Sequence, residues 1–343
     1  MTVPALALIP PVSPTAGLSV LDMALSAGIL VTVTLALCAR TRMAQAVSFL
    51  TLGVVMSLTW LRLGVVDVAL AEGALGTGLL SALMVWLVTR SRRRPLLDGA
   101  AGKAAGHSVR RWLPAGLGIA AGMITAVVAV VLWFRVEQQI PRWQPALDTE
   151  LPGTGVEHGI TGVLLAFRAY DTLLESAVLM FAGITVLSLG LEGRRDGELA
   201  QVFTPLPPVP STLRWFVRLS APVLLLLGLW LLFAGSSDSG GAFQSGAVLA
   251  GLFILLRTAH VSMAGFTRYW LRPLLAIGII VFIAAGMIGP ALGEAWLAWD
   301  PSWAFAAILT VETTLTAGIA AGLYLLYLGL EDPGSRDGDV VRP

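Results

Sequence analysis

Nine apolar stretches constrain the fold of this chain more than any other feature of its sequence. Each is close to the roughly 20 residues that an α-helix needs to cross a bilayer. Because backbone polar groups inside a bilayer must bond within the protein, runs of this length predict an all-α, polytopic membrane protein. We place the nine transmembrane helices near Leu18–Cys38, Ala44–Leu63, Val65–Val88, Leu113–Phe134, Asp171–Leu191, Leu213–Ala234, Ala242–Ala259, Leu271–Gly289 and Ser302–Leu328.

Composition and charge distribution agree with this interpretation. Only 13% of the residues are charged and 56% are hydrophobic, whereas a soluble domain has about 25% charged residues. With the N-terminus outside, the spans leave eighteen of the 22 Lys and Arg residues on one side and four on the other. This asymmetry follows the positive-inside rule and predicts a cytoplasmic C-terminus.

Several classes of function are disfavoured by what the sequence contains. The net charge of +1 and the lack of a basic stripe argue against a nucleic-acid partner. A single cysteine, Cys38, allows no internal disulfide or thiolate metal site, and His107, His158 and His260 show no metal-ligand spacing. We find no nucleotide, flavin, haem or Fe–S signature, so we expect no cofactor, no metal and no enzymatic activity. The only lysine is Lys103, outside the spans, which argues against a complete carrier.

An acidic pair lies inside the third span, in the stretch Val65–Leu80. Ionisable side chains are costly within a bilayer and usually have a buried partner or a water-filled path. Asp67 and Glu72 are five residues apart, which separates them by about 140° on a regular helix. A π-type turn would bring them closer to one face, and the glycines that follow, Gly73 and Gly76, would tolerate it. Such a turn would favour a movable, ion-coupled helix, whereas a regular helix with bonded acids would favour a scaffold.

A second charged stretch spans Phe167–Phe181. Arg168, Asp171 and Glu175 have i, i+3, i+7 spacing, which places them on one helical face. Counting back about 20 residues from the predicted cytoplasmic boundary puts Glu175 in the outer half of its span.

The same count puts Glu72 and Glu312 at similar depth in the third and ninth spans. Three carboxylates in the outer halves of three helices could line an entry path for a cation or a proton. Alternatively, each is bonded to a neighbouring helix or another protein chain and only fixes packing.

The third notable stretch is Ser236–Gly251, where two glycines precede the seventh span. Gly246 and Ala250 have the small-xxx-small spacing that allows close helix approach. We interpret the stretch as a tight turn and a packing face rather than an ion site. Its motif residues are Gly240, Gly241, Phe243, Gln244 and Gly246.

These three stretches resemble motifs of a known set of membrane subunits. DVALAEGALG resembles the DVALTEAAVG-type motif of the membrane-bound hydrogenase D subunit, also found in the C-terminal part of the large Mrp antiporter subunit. FRAYDTLLESAVL resembles the FRGFDTLGEITVL-type motif of the adjoining E-subunit region. GGAFQSGAVLAG resembles the PGGGFQGGAILA-type motif of the Mrp antiporter B subunit.

The resemblance implies a fusion of three modules. Residues 1–95 would form a three-helix hydrogenase D-like module, residues 96–203 a two-helix E-like module, and residues 204–343 a four-helix antiporter B-like module. The first two modules together are similar to the J subunit of respiratory complex I.

The resemblance also implies a function: an accessory, ion-path subunit of a multisubunit Na+/H+ antiporter in a bacterial plasma membrane. Its partners would be the lipid bilayer, Na+ and H+, and other subunits, including large antiporter-like chains that carry the lysine-based half-channels. By motif, Asp67 and Glu72 match the acidic pair of the first module, and Asp171, Thr172 and Glu175 match the DTxxE of the second.

Two alternatives remain at the level of sequence. The chain could be a membrane-arm subunit of a redox-driven complex, such as a hydrogenase or complex I relative. It could also be a structural scaffold of a related transport complex.

Overall fold

A computed structural model describes residues 19–91, 109–136, 144–192 and 210–330, and these residues form helices and short connections without a β-strand. The predicted all-α class is confirmed. The predicted module boundaries, at 95/96 and 203/204, lie outside the described residues and stay predictions. In chain order the helices are α1 (Val20–Cys38), α2 (Arg42–Arg62), α3 (Val66–Ala71), a π-helix (Glu72–Leu80), α4 (Ser81–Ser91), α5 (Val109–Val136), α6 (Gln144–Glu150), a 3-10 turn (Leu151–Thr154), α7 (Gly159–Gly162), a second π-helix (Val163–Phe167), α8 (Ala169–Glu192), α9 (Ser211–Ala234), α10 (Ala242–Thr258), α11 (Ala264–Tyr269), α12 (Leu271–Gly286), α13 (Ile288–Ala291) and α14 (Ala304–Leu330).

Seven helical stretches in the described residues are long and apolar enough to cross a membrane. They correspond to seven of the nine predicted spans. The other two contain shorter apolar helices, Ala120–Leu132 and Ala242–Thr258. At about 1.5 Å per residue, the 17 residues of α10 rise about 26 Å. The chain is therefore a multi-pass membrane protein, while the count of nine and the orientation stay predictions.

The chain divides into two compact units, residues 1–88 with 151–343, and residues 89–150. The second unit contains α5 and α6. In the first unit α14 is the most buried long helix, with half of its apolar window enclosed. It packs against α8, α10 and α12. A buried apolar row along α14, Ile308, Val311, Leu315 and Ile319, forms the centre of this core.

The small residues of the third motif permit the contact between α10 and α14. A Cβ atom added to Gly246 would lie 2.6 Å from Cγ2 of Ile319 and 3.2 Å from the carbonyl oxygen of Thr316. Such distances leave no room for a side chain at this position. The predicted packing role of Gly246 is therefore confirmed.

We expect Gly246→Val to destabilise the chain by about 1–3 kcal/mol because the added methyl groups overpack the α10–α14 contact. Gly251→Val is the matched control, since it makes the same change on the same helix where a Cβ meets nothing within 4 Å. Thermal unfolding of the purified full chain in detergent measures the difference. Equal melting temperatures for the two variants would contradict the packing role.

Candidate functional site

The carboxylate of Asp67 joins the first and third motifs. Asp67 lies in the first turn of α3 and is only 8% exposed. Its Oδ1 accepts a hydrogen bond from the backbone N–H of Gly240 at 3.2 Å, and its Oδ2 accepts one from the hydroxyl of Ser239 at 3.2 Å. Two charge-assisted bonds thus fix the turn that precedes α10 against the start of α3.

A histidine from a third part of the chain completes this contact. His158 Nε2 lies 3.5 Å from Asp67 Oδ2, which gives an ion pair whenever the imidazole is protonated. The backbone N–H groups of Glu157 and His158 both donate to the carbonyl of Ser236 at 3.2 Å, which holds the histidine beside the turn. Its Nδ1 is buried and has no hydrogen-bond partner among the described residues.

Gln244 extends the contact into the first turn of α10. Its Nε2 donates to the backbone carbonyl of Asp67 at 3.3 Å, and the side chain is buried. We call Asp67, His158, Ser239, Gly240 and Gln244 the Asp67 cluster.

Gly241 makes the turn possible. Its φ of 115° lies in a region that side-chain-bearing residues rarely adopt, and its N–H donates to the carbonyl of Leu231 at 2.8 Å. Glycine at this position therefore fixes the angle at which the chain enters α10.

The carboxylate of Glu312 lies against the other side of the same turn. Glu312 is 3% exposed, and a Cβ placed on Gly241 would be 3.3 Å from its Oε1 and 3.7 Å from Oε1 of Gln244. Its Oε2 is buried without a hydrogen-bond partner in the described part of the chain. A buried charge without a partner is costly, so this carboxylate suits a site that takes up a proton or a cation.

The predicted π-type turn is present in the third span. A nine-residue π-helix runs from Glu72 to Leu80, and the buried hydroxyl of Ser81 donates to the carbonyl of Gly76 at 2.9 Å. The half-buried side chain of Glu72 folds back over Gly76, where an added Cβ would overlap its Oε1. Gly76 thus provides the space that the carboxylate of Glu72 occupies.

A second π-helix, Val163–Phe167, precedes the second motif. Side chains outside it satisfy two of its carbonyl groups. Thr172 Oγ1 donates to Leu164 at 2.6 Å, and Trp299 Nε1 donates to Leu165 at 2.9 Å. Thr172, which the motif singled out, therefore stabilises backbone that a regular helix would satisfy by itself.

The charged residues of the second motif lie apart from the Asp67 cluster. Arg168 and Asp171 form the ion pair that their spacing predicts, with both side chains substantially exposed. Glu175 is exposed and makes no hydrogen bond within the described residues. The apolar residues beside it, Leu174 and Val178, are 62% and 69% exposed, so this face of α8 is open in the isolated chain.

Sequence reasoning found most of the site but missed two of its members. The structure brings Asp67, Gly240, Gly241, Gln244 and Glu312 to one turn, as members of separate predicted motifs. It adds His158 and Ser239, whose only signal in the sequence was their position next to motif residues. The described residues hold no group of three or more His, Cys, Asp or Glu side chains that could bind a metal ion. Phe243 packs on the edge of the apolar core.

Two family models match the chain. Residues 27–93 match MbhD, the D subunit of MBH, and residues 212–330 match a domain related to the MnhB subunit of Na+/H+ antiporter. The two matched segments contain the first and third motifs and Glu312. They confirm the resemblance to membrane subunits of the hydrogenase and Mrp antiporter group. The second motif lies between them, so its resemblance to the E-subunit region stays a prediction.

One solved structure has a similar fold. It is the Mrp complex from Dietzia sp. DQ12-45-1b, one chain of which matches with a TM-score of 0.70 and 21% sequence identity over 96% of this chain. The match covers 37% of that chain, so the protein described here spans well under half of its length. No curated protein matches.

The contact between Glu72 and Gly76 predicts opposite effects of two similar substitutions. Replacing a helical glycine with alanine normally stabilises by about 0.5–1 kcal/mol. We expect this for Gly73→Ala, because a Cβ there lies 3.9 Å from Ser57 Oγ. Gly76→Ala should destabilise, because its methyl group displaces the carboxylate of Glu72.

A double-mutant cycle isolates this contact. In a Glu72→Ala background the destabilising effect of Gly76→Ala should disappear, as measured by thermal unfolding of the purified full chain. The same loss of stability in both backgrounds would show that Gly76 is required for another reason.

Proposed function

We propose that this chain is an ion-path subunit of an Mrp-type multisubunit Na+/H+ antiporter in a bacterial plasma membrane. The MbhD and MnhB-related matches and the fold shared with a chain of an Mrp complex support this proposal. The observation that carries it is the buried turn Ser239–Gly241, with the carboxylate of Asp67 on one side and that of Glu312 on the other.

The turn gives the two carboxylates a physical route for coupling. Protonation of Asp67 would weaken its bonds to Ser239 and Gly240, because a neutral carboxyl accepts hydrogen bonds less strongly than a carboxylate. Movement of this turn would change the surroundings of Glu312, which lies against Gly241. Proton uptake at one acid would thereby alter the affinity of the other for a proton or a cation.

His158 is suited to exchange protons with this site. An unperturbed imidazole titrates near pH 6.5, and its two nitrogens allow a proton to be accepted at one and released at the other. In this chain Nε2 faces Asp67, while Nδ1 is buried without a partner among the described residues. We propose that His158 delivers protons to the carboxylate of Asp67.

The residues of the second motif would act at an interface with another protein of the complex. Glu175 is exposed in the isolated chain, and an exposed carboxylate within a span is unfavourable against lipid. Its predicted partners are the large antiporter-like chains, which would cover this face of α8. Transport would thus be shared between chains, and this chain would perform no enzymatic reaction.

A redox-driven complex is the second candidate, and the MbhD match favours it specifically. The membrane chemistry of Asp67 and Glu312 would be the same in both cases, but ion movement would be driven by electron transfer in soluble subunits. Purifying the intact complex and identifying its subunits separates the two. Antiporter-like chains alone support the exchange function, whereas Fe–S or nickel proteins support the redox function.

We expect Glu312→Gln to abolish Na+/H+ exchange in everted vesicles while the complex still assembles. Glutamine keeps the shape of the side chain but removes the charge that would be compensated by a cation or proton. Glu294→Gln, an exposed position outside the long helices, is the matched control. Wild-type exchange in Glu312→Gln would remove this residue from the ion path, and failed assembly would indicate a packing role.

We also expect Glu72→Gln and Glu175→Gln each to abolish exchange without loss of assembly. Both side chains lack a hydrogen-bond partner in the described residues, so neutralising them removes a charge without breaking a contact inside this chain. Transport assays paired with native gels of the same membranes separate function from assembly. Wild-type transport in either variant would exclude that residue from the mechanism.

A further inference from the structure

A cavity of about 490 Å³ lies between α9 and α10 at the end opposite to the Ser239–Gly241 turn. This volume is within the range of about 300–1,000 Å³ that small-molecule sites occupy. It is formed by the first turns of α9, the last turn of α10 and the residues that follow α10. Within the described chain its lining residues are Arg214, Val217, Arg218, Ala221, Leu256, Ala259, His260 and Val261.

The polar lining of this cavity carries positive charge. Arg214 and Arg218 are four residues apart, so both side chains lie on one face of α9. Guanidinium groups can bind phosphate oxygens through two parallel N–H donors. None of the lining residues is acidic. The cavity is therefore suited to an anion, and to phosphate in particular.

His260 is held in the lining by an unusual backbone conformation. Its φ is 58°, one of two positive values at non-glycine residues in the described chain. Its N–H donates to the carbonyl of Arg257 at 3.1 Å, and that of Val261 donates to Leu256 at 3.0 Å. This is the helix ending at which glycine is the usual residue. Histidine here carries a backbone cost that glycine would avoid, and it adds an N–H donor to the cavity.

The remainder of the lining is apolar. Val217, Leu256 and Val261 contribute aliphatic side chains, and Ala221 and Ala259 contribute methyl groups. Trp215 and Phe216 on the same turns of α9 are 67% and 50% exposed. A basic pocket with apolar walls at the predicted cytoplasmic end of membrane helices matches the chemistry of an anionic phospholipid, whose phosphate and acyl chains need both surfaces.

We propose that this cavity binds a phosphate group, and that its source is an anionic phospholipid of the surrounding membrane. Arg214, Arg218 and His260 contact the phosphate, while the apolar lining contacts the upper part of the acyl chains. This inference is independent of the proposed ion path, because none of its residues belongs to the Asp67 cluster. Bound lipid would tie the α9–α10 pair to the membrane surface.

The experiment uses the full chain, purified from membranes with the subunits that accompany it. Native mass spectrometry after delipidation and titration with phosphatidylglycerol, phosphatidylcholine or inorganic phosphate measures binding of each. We expect retention of phosphatidylglycerol and affinity lower by about fivefold for each arginine removed in Arg214→Gln and Arg218→Gln. Arg272→Gln is the matched control, since it removes an exposed arginine at the same predicted membrane side but outside the cavity.

His260→Gly provides a variant that keeps the fold. Glycine suits the positive φ, so thermal stability should be retained or increased while phosphatidylglycerol affinity falls. Unchanged affinity in the arginine variants, or equal loss in Arg272→Gln, would overturn the proposal. Binding of inorganic phosphate alone would overturn the lipid source, and loss of an accompanying protein with no change in bound lipid would assign the cavity to a protein partner.

Discussion

The bonds between the carboxylate of Asp67 and the turn before α10 are the interaction on which the rest of the structure depends. A carboxylate removed from water requires hydrogen-bond donors, and here they come from Ser239 and Gly240. The same turn accepts Glu157 and His158 through the carbonyl of Ser236 and lies against Glu312 on its other side. Elements from all three predicted modules therefore meet at one polar contact inside an otherwise apolar bundle.

The two π-helices show how irregular backbone is accommodated at membrane depth. Unsatisfied carbonyl groups are costly in a bilayer, and irregular segments survive only where other protein groups satisfy them. Ser81 serves the π-helix after Glu72, and Thr172 and Trp299 serve the π-helix before the second motif. Polar residues that looked like chemistry in the sequence thus divide into two kinds. Thr172 maintains backbone, whereas Asp67 and Glu312 present side-chain oxygens to a shared turn.

The sequence was informative wherever the signal was local. Length and hydropathy predicted the helices within a few residues, and the five-residue offset of Asp67 and Glu72 beside glycines predicted the π-helix. The small residues of the third motif predicted close packing, and the structure also places them around an acid. His158 and Ser239 were missed because their role depends on residues 91 and 172 positions away in the chain, and no periodicity records such a contact. The same limit kept Glu312 from being linked to Gly241 before the fold was known.

The long sequence separation of the Asp67–Ser239 contact has a consequence for assembly. The two residues are 172 positions apart on one chain, so their contact is intramolecular. Tethered partners meet at an effective concentration in the millimolar range for short flexible linkers, without the entropic cost of bringing separate molecules together. Hydrogen bonds of 3.2 Å therefore suffice where independent proteins would need a large interface. Covalent linkage also fixes one copy of each element per site, so no site lacks its acid, its turn or its histidine.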